Sequence, residues 1–322
     1  MVKFMQDVKT NYLEAFYDCV DESNNVLYDA YHKSYFELIE LTVQNILAGE
    51  VICDCDEETE KKLNEIYDKI ANIDFTVEDV RKAMQAIILK GFKEMRMANG
   101  NTTPDTLGIF MAYLISKLCL DKKISILDPL CGTGNLLHTI LNHMDKDCTV
   151  YACDHDLWMT KLTKMVSDLL SIDVEIFLQD TRNLHFAELD CIVFDMPNVE
   201  KEDKQEYFPY LSILHYSKML KDNGCMIGIV SNDFFDYDKN QAFKKELLKD
   251  CSIVGLVELP DNIFVSKPKI ILVIQKRIME DKKNCFMVKL PSFTDVKEFN
   301  QSLMEIEAWF EKNNKYRNEE KV

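Results

Sequence analysis

Four acidic residues carry most of the chemistry on offer in this chain of 322 residues, each placed at or just past the end of a short apolar run. Asp128 follows Ile124–Leu127, Asp154 closes Thr149–Cys153, Asp180 follows Val174–Leu178, and Asp195 follows Cys191–Phe194. Apolar runs of this length read as buried strands, so the acids stand at strand ends, where a parallel sheet binds ligands. After Asp128 comes a turn with Gly132 and Gly134, then the apolar-periodic stretch from Asn135 that reads as a helix. Strand, glycine turn and helix N-terminus let backbone approach a ligand closely.

Spacing narrows the ligand. A dinucleotide fingerprint needs Gly or Ala at its sixth position, for close packing around a pyrophosphate. Counted from Gly132, that position is the bulky Leu137. A P-loop needs Gly-Lys-Ser/Thr, and the turn holds no Lys. Asp154 lies about 20 residues beyond the glycines, which suits a ribose diol, and Asp128 is placed to hold a cationic group. A ribose with a cation and no pyrophosphate describes S-adenosylmethionine.

The elements that must position these acids form two parts. Residues 1–98 read as an N-terminal helical domain. Phe16, Val20, Tyr28, Tyr31, Tyr35, Ile39, Val43 and Ile46 recur at helical spacing, with Asp21 to Asn25 read as an interrupting turn. Further helices are expected over Glu60–Ile70 and Val77–Met95, the latter with Asp74 and Thr76 as cap candidates. Ala98-Asn-Gly-Asn101 reads as a turn-rich linker. Thr103 reads as an N-cap with Pro104 at the first helical position. Residues 99–280 then alternate seven strand candidates with helices, the last being Met226–Val230, Ile253–Glu258 and Ile270–Gln275. The pattern predicts an α/β fold with a seven-stranded, mostly parallel, doubly wound Rossmann-like sheet. The final two strands lack room for a helix between them and should be antiparallel. Residues 281–322 add a strand candidate, Phe286–Leu290, and a helix over Val296–Lys312.

Composition sets bounds on function. No apolar run approaches the roughly 18 residues of a membrane span, and no signal-peptide pattern follows the first residues. Eleven scattered cysteines without a CxxC pair point to reduced thiols in a cytoplasmic protein, and no metal centre is expected. The net charge of −17 and only five Arg disfavour a nucleic-acid partner. Lys267, Lys269 and His215 read as surface or packing residues, and Trp158 as packing.

Several segments together resemble a class I S-adenosylmethionine-dependent methyltransferase. Within that class they resemble the N6-adenine-specific DNA methylase group, which includes type I restriction-modification M subunits and YtxK-like proteins. The resemblance spans residues 102–276. Thr103-Pro104 is similar to the segment preceding the family core, beside the methionine part of the cofactor. Asp128-Pro129-Leu130-Cys131-Gly132-Thr133-Gly134-Asn135-Leu136-Leu137 is similar to the family's Asp-Pro-x-x-Gly-Thr-Gly-x-Leu-Leu motif. Asp154 matches the ribose acid, with His155 beside it a candidate to face the adenine. Gln179-Asp180 matches the motif whose Asp approaches that adenine. Leu259-Pro-Asp-Asn-Ile-Phe264 and the strand after Lys269 match the closing motif.

The catalytic segment departs from the pattern. The family places Asn/Asp-Pro-Pro-Tyr/Phe after the fourth strand. Its first side chain and next carbonyl accept hydrogen bonds from an exocyclic amine, and its aromatic stacks on a flipped base. This chain reads Asp195-Met196-Pro197-Asn198. The two acceptors persist, and the aromatic is replaced by Asn198, with Tyr207, Phe208 or Tyr210 as candidate substitutes. The resemblance therefore implies methyl transfer to an amine held by Asp195 and the Met196 carbonyl. The alternatives are an S-adenosylmethionine-binding module without catalysis, whose helical domain meets a protein partner, and a methyltransferase for a non-DNA substrate.

Overall fold

The computed structural model describes residues 12–97, 102–199, 207–238, 240–260, 263–264, 267–277 and 284–313. The expected linker at 98–101 lies outside them. The described residues fall into two units. One holds those up to 97 with 161–173, and the other holds those from 102 to 160 and from 174 onward.

The first unit contains α1 (Tyr12–Tyr31), α2 (Tyr35–Ala48), α3 (Glu57–Asp68) and α4 (Val77–Glu94). Its core gathers Val20, Leu27, Phe36, Ile39, Met84, Ile87 and Phe92, all nearly inaccessible to water. Thr76 caps α4: its hydroxyl oxygen accepts from Asp79 N at 3.1 Å, while Asp79 accepts from Thr76 N at 3.0 Å. The reciprocal pair satisfies two otherwise unpaired backbone donors. The expected turn at Asp21 to Asn25 does not form, and α1 runs through it. Ser23 is fully buried, with Oγ 2.9 Å from Thr42 Oγ1 and 2.8 Å from Tyr67 OH. A polar residue with partners inside the bundle counts with the inward face, and composition alone misassigns it. The chain turns instead at His32, whose φ of 50° is left-handed.

The other elements, in chain order, are α5 (Asp105–Leu118), β1 (Lys123–Asp128), α6 (Asn135–Asn142), β2 (Asp147–Asp154), α7 (Leu157–Leu169), β3 (Val174–Leu178), β4 (Leu189–Asp195), α8 (Phe208–Met219), β5 (Leu220–Ser231), α9 (Ala242–Leu247), β6 (Ser252–Glu258), β7 (Lys269–Gln275), β8 (Phe286–Lys289) and α10 (Val296–Lys312). One sheet takes the order β3-β2-β1-β4-β5-β7-β6-β8. The strands from β3 to β5 in that order are mutually parallel, and β7 lies antiparallel to both β5 and β6. The α/β sheet is as expected, widened to eight strands by β8, which pairs parallel with β6. Apolar runs such as Cys191–Phe194 and Met226–Val230 are buried throughout, as strands covered on both faces must be. Gly228 shows how tightly they pack: a Cβ there would come within 2.2 Å of the Phe194 ring.

The topology makes the site. From β1 the chain steps outward through β2 and β3, then returns to the other side of β1 as β4. Strand order reverses between β1 and β4, and the connections after their carboxyl ends diverge to leave a crevice. Asp128 and Asp195 terminate those two strands.

Candidate functional site

The loop from β1 to α6 is held by its own backbone. Gly132 and Gly134 have left-handed φ values of 53° and 77°, which side chains with a Cβ adopt only at a cost. Cys131 N donates to Cys153 O at 2.9 Å, and Gly132 N donates to Asp154 Oδ2 at 3.0 Å. The loop is thus pinned to the end of β2. Pro129, Cys131, Thr133 and Asn135 are buried along it. Leu137 is fully buried, a core role that leaves no place for the small residue of a pyrophosphate loop.

Thr103 does not cap a helix as expected. Helix α5 begins at Asp105, with Pro104 in the cap position. The Thr103 hydroxyl instead donates to Asp195 Oδ2 at 2.9 Å, a charge-assisted bond that outweighs an ordinary cap. Asn135 Nδ2 donates to Thr103 O at 2.7 Å and to Asp105 Oδ1 at 3.1 Å. The segment before α5, the start of α6 and the end of β4 are therefore joined by one chain of hydrogen bonds.

The electrostatics of the crevice are dominated by acids. Asp128 is 1% exposed. Burial pushes its carboxyl up to about 8, the Leu130 amide at 3.1 Å opposes this, and the charges of Asp154 and Asp195 add to it. Among the described residues no cation pairs with Asp128. A buried carboxyl beside two acids is stabilised by an incoming positive group, which fits the α-ammonium of an amino-acid-bearing cofactor. Asp154 accepts from Asp156 N at 2.9 Å and lies 3.3 Å from Nδ1 of His155, whose side chain is largely exposed. Gln179 N donates to Asp154 O at 3.1 Å. Asp180 differs from the other acids. Hydrogen bonds from the Arg182 side chain and backbone hold its carboxyl at about 2, so an adenine would meet an Asp already paired.

Lys269 was missed by sequence reasoning. Read as a solvated surface lysine, it is in fact 7% exposed. Its Nζ lies 2.5 Å from Asp195 Oδ1 and 3.3 Å from Met196 O. The signal was the antiparallel pairing of the last two long strands. A strand running against its neighbours begins where they end, so its first residue stands two register positions beyond Asp195, within reach of it.

The candidate aromatics lie just beyond the Asp195–Asn198 segment. Tyr207, Phe208 and Tyr210 belong to the start of α8 and the core beneath it. Tyr207 stacks on Tyr237 at 4.5 Å and Tyr210 on Phe243 at 4.3 Å between centroids. Tyr207 does line a cleft of about 130 Å³ with Met196, Pro197, Asn198, Phe234 and Lys267. Pro197 and Asn198 are exposed at its rim, whereas the Met196 side chain is buried.

Three cysteines that looked scattered meet in the core. Cys119 Sγ lies 3.5 Å from Cys225 Sγ, which lies 3.7 Å from Cys191 Sγ. All three are free and buried, and they come from the end of α5, β4 and β5. His215 contacts Leu184 O at 2.8 Å, a packing role. Among the described residues no helix is long and apolar enough to cross a membrane.

Comparison with known proteins agrees with this geometry. Residues 14–92 match the YtxK N-terminal helical domain, and residues 86–322 match the N-6 DNA methylase family. The chain is 28% identical over 272 residues to the uncharacterized protein YtxK of Bacillus subtilis, covering 78% of this chain and 83% of that protein. It is 23% identical over 240 residues to the EcoEI type I restriction enzyme methylase subunit of Escherichia coli, of whose length it spans 47%. A crystal structure from Listeria monocytogenes, assigned to the class I S-adenosylmethionine-dependent methyltransferases, superposes with a TM-score of 0.82 at 28% identity, covering 94% of this chain and all of that one. A modification subunit from Vibrio vulnificus shares the fold at a TM-score of 0.63 and 14% identity, covering 94% of this chain and 91% of that one. With the family model matched over most of its length and the acids set at the switch point of a methyltransferase sheet, the chain belongs to the N-6 DNA methylase family of S-adenosylmethionine-dependent methyltransferases, carrying a YtxK-type helical domain at its N-terminal side.

Proposed function

We propose that the crevice between β1 and β4 binds S-adenosylmethionine and that an amine docks between the Asp195 carboxylate and the Met196 carbonyl to receive its methyl group. One observation carries the amine half of this reading: an amine already rests there, the ammonium of Lys269, bonded to both acceptors. Asp128 would hold the cofactor's ammonium, Asp154 its ribose, and Gln179 with Asp180 the adenine edge, with Thr103 and Pro104 beside the methionine portion. The sulfonium supplies a methyl group already activated for transfer. What the chain must add is position and polarity. Holding nucleophile and methyl in line removes most of the orientational cost, and Asp195 with the Met196 carbonyl draws electron density toward the amine nitrogen. Thr103, donating to the other Asp195 oxygen, fixes the carboxylate plane.

A second reading, a cofactor-binding module without transfer, is favoured by Asn198 where a stacking aromatic would stand. Isothermal titration with S-adenosylmethionine and S-adenosylhomocysteine tests the cofactor site, and absence of heat with both at millimolar concentration would refute it. Labelled methyl transfer to DNA, RNA and protein extracts, lost in Asp195→Ala, supports the enzyme. Binding without transfer to any of them supports the module.

A further inference from the structure

Lys269 opens β7 and sits opposite Ser231 in the β5–β7 register, two residues beyond Ile229, the partner of Asp195. Its backbone is therefore level with the carboxyl ends of the parallel strands, and its side chain, 8% exposed, crosses to β4. There Nζ meets the Asp195 carboxylate, the Met196 carbonyl and the face of Phe264, 5.2 Å from the ring centroid. Two acceptors and an aromatic face are the contacts a docked amine needs.

We propose that Lys269 is a specificity-determining residue, a tethered occupant of the acceptor-amine position that turns away the neutral amine of an adenine. The inference rests on the reading that Asp195 and Met196 form that position. A neutral amine entering the site exchanges the ion pair of Lys269 and Asp195 for a hydrogen bond in which only the carboxylate is charged. It also strands the Lys269 ammonium, which is mostly shielded from water, an arrangement whose cost rises with burial. The neighbouring position that would grip a flat base is Asn198, which lacks the aromatic stacking term.

Two measurements test the proposal. The first compares deoxyadenosine binding to the wild type, Lys269→Met and Lys269→Ala, all with S-adenosylhomocysteine present. Removing the tethered charge is expected to raise affinity by about tenfold or more. The second follows acylation of individual lysines by mass spectrometry. Lys269 is expected to react at least about tenfold more slowly than the more exposed Lys267 in the wild type, and to approach that rate in Asp195→Asn. Equal rates for Lys267 and Lys269 in the wild type overturn the proposal. So does unchanged deoxyadenosine affinity in both variants that still bind S-adenosylhomocysteine. Failure of every variant and the wild type to bind S-adenosylhomocysteine refutes the cofactor reading instead, and the acylation pattern then decides whether Lys269 occupies the site.

Discussion

Replacing Asp128 with Asn should flatten the pH dependence of stability in a way no exposed acid can. An unfolded Asp titrates near 3.9, whereas burial raises the folded Asp128 carboxyl to about 8. A group raised in this way contributes stability fully below its unfolded pKa and surrenders it as pH climbs toward the folded one. Between those values the folded chain binds about one proton more than the unfolded chain, so stability falls by about 1.4 kcal/mol per pH unit. From pH 5 to pH 7 the loss attributable to Asp128 is roughly 3 kcal/mol. Asn has no proton to lose, so urea denaturation of Asp128→Asn and wild type over this range should diverge, with the variant gaining relative stability as pH rises. The same residue makes cofactor affinity pH-dependent in the opposite sense. An ammonium docked against Asp128 favours the ionised carboxylate, so binding of S-adenosylhomocysteine should tighten from pH 5 to pH 8 in the wild type and lose that slope in the variant. Parallel urea midpoints at all pH values would refute the assignment of a raised pKa to this buried carboxyl.

Other perturbations follow from the same geometry. Asp195→Ala leaves the buried Lys269 ammonium without its carboxylate and should cost about 3–5 kcal/mol of stability, with S-adenosylhomocysteine affinity retained by calorimetry and methyl transfer abolished. In a Lys269→Met background, Asn198→Tyr restores a stacking surface and should strengthen deoxyadenosine binding by about 1–3 kcal/mol, read by titration. Gly228→Ala drives a methyl into the Phe194 ring and should destabilise the sheet by about 1–3 kcal/mol in urea. Arg182→Ala breaks a pair that is open to solvent on both sides, so no measurable shift in the urea midpoint is expected.

The sequence showed the acids and the order of the strands because those signals are local. An apolar run ending in Asp, a Gly132-Gly134 turn and a bulky Leu137 can each be read within ten residues, and together they specify a nucleoside crevice without a pyrophosphate. Antiparallel β6 and β7 were legible from chain length, since no helix fits between them. Local signals failed where partners lie far along the chain. Ser23 looked like a turn residue until Thr42 and Tyr67 supplied its hydrogen bonds. Thr103 looked like a cap until Asp195, 92 residues away, claimed its hydroxyl. Cys119, Cys191 and Cys225 looked unrelated until three elements brought their sulfurs together.

Lys269 marks the boundary most clearly. As a residue type it reads as solvated surface, because an unpaired buried ammonium is costly. Only the sheet, by running β7 antiparallel against β5, brings its side chain to Asp195 and removes that cost by pairing. The sequence by itself determined which groups could hold a methyl donor. Tertiary structure decided that the Lys269 ammonium rests on the Asp195 carboxylate and the Met196 carbonyl, since charge pairing across 74 residues depends on strand order rather than on any local pattern.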